Sequence, residues 1–417
     1  MRTRTMRKGY ADLPLHYGRV PQWLAQRMTQ LARAISEAIV IEYGPNGFLQ
    51  RISDPDWFQC FGCALGMDWH SSGITTSVLG ALKRAINPIA QDLGLYVCGG
   101  RGRYSRKTPD ELLRLGETHG FDPSPLIQTS RLCAKIDNNL VQDGFQIYLH
   151  TFILALPERQ WSIIQQGMAP DQKLARRYHW YAPKVVTPLI EPHCGVIGQN
   201  RGTILNLTDR RAVPAQHDIV ELTQQKPIEV LRACRHLRMP SRHHVRAQDI
   251  DLHQLGAVLA IAYERQFRDF SQFLLQKNVG PRTIQALALT AQLFYGHPVH
   301  FRDPARFAFA HGGKDGHPHP VLTRTYDETI ETLKEAVNKA KVGHSHKLES
   351  LRKLTEFARE VGQHHRPRAH FNKLMAKEHR EAPRYGGRTV FDRAVPPASS
   401  KPPPAPRQLD LFDDFAQ

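Results

Sequence analysis

The stretch that decides the fold is Phe145-Gln146-Ile147-Tyr148-Leu149-His150-Thr151-Phe152-Ile153-Leu154-Ala155-Leu156, with Trp161-Ser162-Ile163-Ile164 after Pro157-Glu158-Arg159-Gln160. The first run is β-branched, aromatic and apolar, and the second repeats it after a break of turn-forming and charged residues. The pattern predicts an antiparallel hairpin. Upstream, Leu24, Met28, Leu31, Ile35 and Ile39 recur at helical spacing after Pro21, and Val78–Ile86 continues the helical theme. Leu95–Cys98 reads as a short strand. Thr108-Pro109-Asp110-Glu111 has capping-box spacing with proline at the first helical position. From Ile219 onward the periodicity is helical, with a long pattern over Leu252–Leu275. The expected class is therefore α+β. A mixed α/β domain over 1–215 precedes a helical domain over 216–380, and the proline-rich stretch 381–417 is expected to be a disordered linker and tail.

Composition restricts the partners. Lysine and arginine number 56 against 39 aspartates and glutamates, a formal charge of +17, which favours a polyanion. No run approaches the roughly eighteen apolar residues that a spanning helix needs, and the basic start Met1–Lys8 leads into no apolar signal core. A cytoplasmic, nucleoid-associated protein with no membrane partner is expected. The six cysteines are scattered and read as reduced thiols, with Cys60 and Cys63 as half-buried neighbours of Phe58 and Phe61 rather than a zinc site.

Two segments suit a phosphate backbone. Gly99-Gly100-Arg101-Gly102-Arg103-Tyr104-Ser105-Arg106-Lys107 is a basic glycine-rich loop, in which Arg101, Arg103, Arg106 and Lys107 are candidate DNA contacts; a merely solvated loop is the alternative. Phe267–Lys277, Asn278-Val279-Gly280-Pro281 and Arg282–Tyr295 read as helix, turn and helix over 267–295, and this resembles the helix-hairpin-helix of DNA repair proteins. Val279, Gly280, Arg282 and Thr283 would meet a phosphate there, Gly280 by freeing the turn. Asp303 follows at a spacing similar to that of the catalytic aspartate in helix-hairpin-helix glycosylases, although its place before Pro304 also suits a cap or turn. Lys314, in His311-Gly312-Gly313-Lys314-Asp315-Gly316, would add a further basic contact.

The densest reactive side chains lie between Lys135 and His193. Asp137, Asp143 and His193 are candidate ligands for a divalent magnesium or manganese ion. His150, Gln166 and His179 are candidate catalytic groups, and Arg176 and Arg177 candidate phosphate clamps. A metal-dependent DNA nuclease is the simplest activity these groups allow. A glycosylase-like repair enzyme and a non-catalytic, structure-specific DNA-binding adaptor remain alternatives, as does a structural role in which the aspartates cap turns and the histidines satisfy buried hydrogen bonds.

The strings Ala11-Asp12-Leu13-Pro14-Leu15-His16, Asp68-Trp69-His70-Ser71-Ser72-Gly73, Val141-Gln142-Asp143-Gly144, Gln165-Gln166-Gly167-Met168, Ala175-Arg176-Arg177-Tyr178-His179-Trp180 and His311–Gly316 together resemble the bacterial and archaeal domain-of-unknown-function family numbered 763. The resemblance runs from about residue 8 to 360 and implies no activity. Beyond it, Gln408-Leu409-Asp410-Leu411-Phe412 resembles the bacterial sliding-clamp-binding motif. Leu411 and Phe412 would fill a pocket on the clamp and Gln408 would set the register.

Overall fold

The computed structural model describes residues 13–14, 22–67, 72–169, 174–198, 200–235, 252–305 and 323–339. Lys314, Gln408–Phe412 and the whole stretch 381–417 lie outside them. The elements run α1 (Gln22–Ser53), α2 (Pro55–Ala64), α3 (Ser72–Ile86), α4 (Ala90–Leu93), α5 (Thr108–His119) and α6 (Ser124–Asn139), then α7 (Val213–Thr223), α8 (Pro227–Arg235), α9 (Leu252–Arg265), α10 (Phe270–Leu275), α11 (Pro281–Tyr295) and α12 (Thr323–Lys339). The strands are β1 (Leu13–Pro14), β2 (Leu95–Arg101), β3 (Gln146–Ala155), β4 (Gln160–Ala169), β5 (Leu174–Tyr181) and β6 (His193–Ile197). The fold is α+β. No described helix is long and apolar enough to cross a membrane.

The expected hairpin is β3 and β4, antiparallel, with Phe152 opposite Ile163 and His150 opposite Gln165. It lies at the centre of one antiparallel sheet, flanked by β2 and β5, and β1 and β6 share the outer side of β5. Side chains alternate across a strand, so each strand serves two cores. Leu149, Ile153 and Ile164 face α1, α2 and α3, whose Met28, Leu31, Ile35 and Ile39 form the stripe read from the sequence. Phe152, Leu154, Ile163, Tyr178 and Trp180 face α5, α6, α7 and α9 to α11. Apolar packing on this second face runs continuously across residue 215, where the chain changes from sheet to helix.

Several elements differ in detail from the sequence reading. α1 runs on to Ser53, with a break at Gly44, whose left-handed backbone precedes Pro45. The long pattern after Leu252 is two helices, because Gln266 takes φ 49° between α9 and α10. The capping box does not form: Thr108 donates to the Ser105 carbonyl at 2.9 Å, and Glu111 accepts from Lys83 at 2.7 Å and from the Gly99 amide at 2.6 Å.

The hairpin turn also corrects an expectation. Gly280 is extended (φ −129°, ψ 179°), a conformation open to any residue, and the left-handed residue of the turn is Asn278 (φ 68°). A methyl group on Gly280 would meet nothing within 4 Å. At Gly99 (φ +83°) it would overlap the His150 carbonyl oxygen and stand 2.5 Å from Thr108 Oγ1. Gly280→Ala should therefore leave stability within ~1 kcal/mol of the parent, the reduced chain entropy offsetting a weaker helix cap. Gly99→Ala should cost more than ~2 kcal/mol in urea unfolding. Equal losses at the two positions would contradict this assignment.

Candidate functional site

The helix-side face of the sheet carries two polar networks. α6 brings Asp137 over the strands, where it is fully buried. His193 Nε2 lies 2.6 Å from its Oδ1, and Oδ2 accepts from Gln165 Nε2 at 2.5 Å and Trp180 Nε1 at 3.0 Å. Gln165 turns its oxygen to His150 Nδ1 at 2.8 Å, and His150 Nε2 lies 2.8 Å from Ser130 Oγ. Because Gln165 spends its amide on Asp137, its oxygen must accept. His150 is then the Nδ1–H tautomer, and Ser130 donates to its other nitrogen. Burial holds His150 below its ordinary pKa, so the imidazole is neutral.

The second network centres on Arg176. Its guanidinium holds Asp143 at 2.7 Å and grips Asp303 through two bonds, at 3.0 and 2.7 Å, with all three side chains wholly buried. Tyr178 donates to Asp143 at 2.6 Å, the Phe145 amide to the same carboxylate at 3.0 Å, and the Arg201 and Ala305 amides to Asp303 at 2.6 and 2.9 Å. The two carboxylates raise the pKa of Arg176 and keep it cationic. Asp303, whose spacing resembled a glycosylase aspartate, is committed to this ion pair as well as to its own turn.

Alternation sends the neighbouring arginine to the opposite face. Arg177 donates to His179 Nε2 at 2.8 Å, lies within 3.3 Å of Thr75 Oγ1 and Gln59 Oε1, and stands 4.4 Å over the Phe58 ring. Burial, with Arg177 beside it, pushes His179 well below the usual histidine range, and burial works against the Arg177 charge. Burial and neighbouring Asp54 push Asp56, on the adjoining α2, up to about 7. Gln166 stands opposite Arg177, with neither end of its buried amide hydrogen-bonded among the described residues.

The structure thus gathers Asp137 from α6, Asp143 from the loop before β3, and His150, Gln166, Arg176, Arg177, His179 and His193 from the strands around one sheet, but in three separate clusters. Arg176 and Arg177 do not form a pair. Asp137, Asp143 and His193 do not converge as metal ligands, and no group of three such side chains does among the described residues. Protein groups already engage both aspartates, with three hydrogen-bond partners on each carboxylate. Gln59 and Asp56 carried no sequence signal, and Arg201 carried none either, because they are recruited from elsewhere in the chain, the first two from α2 and the third from the loop after β6.

The surface site lies where the helical hairpin meets the sheet. A groove of about 490 Å³ is lined by Lys135, Asn138, Gln142, Gln146, Arg282 and Gln285, among others. α11 begins at it, with Gly280 at the N-cap and no side-chain cap among the described residues, so the positive end of the helix dipole lies at the groove. Lys135 Nζ donates to the Val279 carbonyl at 2.5 Å and Gln142 to that of Pro281 at 2.8 Å, so the turn is fastened to α6. Gln285 is 3% exposed, and its Oε1 has no partner. Of the expected hairpin contacts, Arg282 is exposed, whereas Val279 and Thr283 are buried. Arg101, Arg103, Arg106 and Lys107 are all exposed.

An antiparallel sheet with polar networks on both faces and a helical hairpin against one of them defines an α+β protein, with the groove as a candidate site among the described residues. The family model described as protein of unknown function (DUF763) matches residues 9–321, and the chain belongs to that family. No curated protein and no solved structure matches it.

The Arg176 cluster makes a direct demand on stability. Asp143→Ala strands a buried guanidinium and a phenol, and should cost about 3–5 kcal/mol in urea unfolding. A loss below about 1 kcal/mol would remove the ion pair from the core's support.

Proposed function

We propose that this chain is a DNA-binding protein that grips the phosphate backbone, independently of sequence, at the N-terminus of α11. The observation that carries the reading is that this helix start, with no side-chain cap among the described residues, opens onto a groove lined by Lys135 and Arg282. Amide N–H groups, the helix dipole and two cations are the groups that bind phosphate oxygens, and a net charge of +17 supplies long-range attraction. Of the three activities considered from the sequence, the binding adaptor is favoured, since the buried clusters occupy the side chains that the nuclease and glycosylase readings needed.

Arg282→Ala should weaken binding to unrelated duplexes by a similar factor. It should also lower the slope of log affinity against log salt by about 0.9, one phosphate contact's worth. Unchanged affinity and slope in a folded variant would overturn the reading.

The sliding clamp enters as a partner on sequence grounds, through Gln408–Phe412. A short peptide docking two apolar side chains binds modestly and acts by raising local concentration. The full chain should bind purified bacterial clamp at micromolar concentration, and the double variant Leu411→Ala, Phe412→Ala should not. Equal binding by the two proteins would exclude the motif.

A further inference from the structure

The end of β2 and the turn that follows it carry four cations and an exposed ring. Residues Gly102–Lys107 form a short 3-10 turn. Ser105 Oγ donates to the Gly102 carbonyl at 2.6 Å and Thr108 Oγ1 to that of Ser105 at 2.9 Å, and the strand leads into the turn through Gly99, where only glycine fits. With three residues per turn, side chains three apart share a face. Within the turn Tyr104 therefore sits with Lys107, and Arg103 with Arg106, while Arg101 precedes them in extended backbone. The Tyr104 ring is 47% exposed, with the Arg103 guanidinium 5.4 Å and the Lys107 ammonium 5.3 Å from its centre.

None of the four cations is ion-paired among the described residues. On the helix that follows, Glu111 is taken by Lys83 and the Gly99 amide, and Asp110 sits in the first turn. Four cations within the seven residues Arg101–Lys107 repel one another. A chain of phosphates neutralises them, and a nucleobase offers a flat face that stacks on the exposed ring. Duplex bases are stacked on one another and offer this ring nothing; unpaired bases can stack on it. The turn also lies at the groove's end of the sheet. Arg101, the last residue of β2, pairs with Leu149, and β3 begins at the groove-lining Gln146.

We propose that the Arg101–Lys107 turn is a single-stranded DNA site, in which a base stacks on Tyr104 while Arg101, Arg103, Arg106 and Lys107 take the flanking phosphates. It deepens the DNA-binding reading and rests on it: duplex backbone at α11, unpaired strand at the turn, as at a junction or a gap.

The test measures fluorescence anisotropy of the full chain with a labelled twelve-residue oligothymidine and a duplex of equal length, for the parent, Tyr104→Ala, Tyr104→Phe and Arg282→Ala. Tyr104→Ala should weaken single-strand binding about tenfold, the effect of losing one stacked base, with an unchanged salt slope and unchanged duplex affinity. Tyr104→Phe should stay within about twofold of the parent, since the ring is what stacks. Parent binding to duplex but not to the single strand overturns this proposal alone, as does full single-strand affinity in Tyr104→Ala. Absence of binding to either DNA by the parent overturns the backbone-binding reading too. Tighter binding of the matching oligouridine overturns the assignment to DNA. Because the ring is exposed, thermal melts of the Tyr104 variants should match the parent.

Discussion

The structure turns on a buried cation. Arg176 stands in the middle of a strand with no access to water, a position that is costly unless every charge is answered. Two carboxylates answer it from separate segments, Asp143 at the entry to β3 and Asp303 after the last helix of the hairpin. Residues far apart in the chain are thereby drawn to one point of β5. The same carboxylates accept from Tyr178 and from backbone amides at Phe145, Arg201 and Ala305. The loop that closes the helical region is fastened to the sheet by charge as well as by apolar contact.

The Asp137 network does comparable work one helix away. Six side chains from α6, β3, β4, β5 and β6 converge on one another, so the hydrogen-bond pattern selects one register for these strands. A slip by one residue would turn His150 and Gln165 into the opposite core and strand Asp137. Polar residues packed this densely suggest catalysis to a reader of sequence. Here their partners are one another.

The central hairpin, the helix over Met28–Ile39 and the helical hairpin were legible because their apolar residues keep period. β5 was not. In Leu174-Ala175-Arg176-Arg177-Tyr178-His179-Trp180-Tyr181 both faces are buried and both carry polar groups, so the alternation that marks a half-exposed strand is missing. Two adjacent arginines look like a surface clamp unless a strand is already known to separate them. α6 was hidden for a similar reason: its inward face includes Ser130 and Asp137 beside Leu132, Cys133 and Ile136. Asp143 and Asp303 could not be paired from sequence, since nothing local links residues so far apart. The glycine of the hairpin turn was found, but the strained residue proved to be its neighbour Asn278.

α6 has one more property. Asp137 is anchored in the sheet, and two residues earlier Lys135 reaches the carbonyl of Val279 in the hairpin turn. The same short rod thus floors the groove and plugs the core. What lies on the groove side of this helix is therefore placed by contacts on its far side, so a change at Asp137, buried against the sheet, would reach the surface through Lys135.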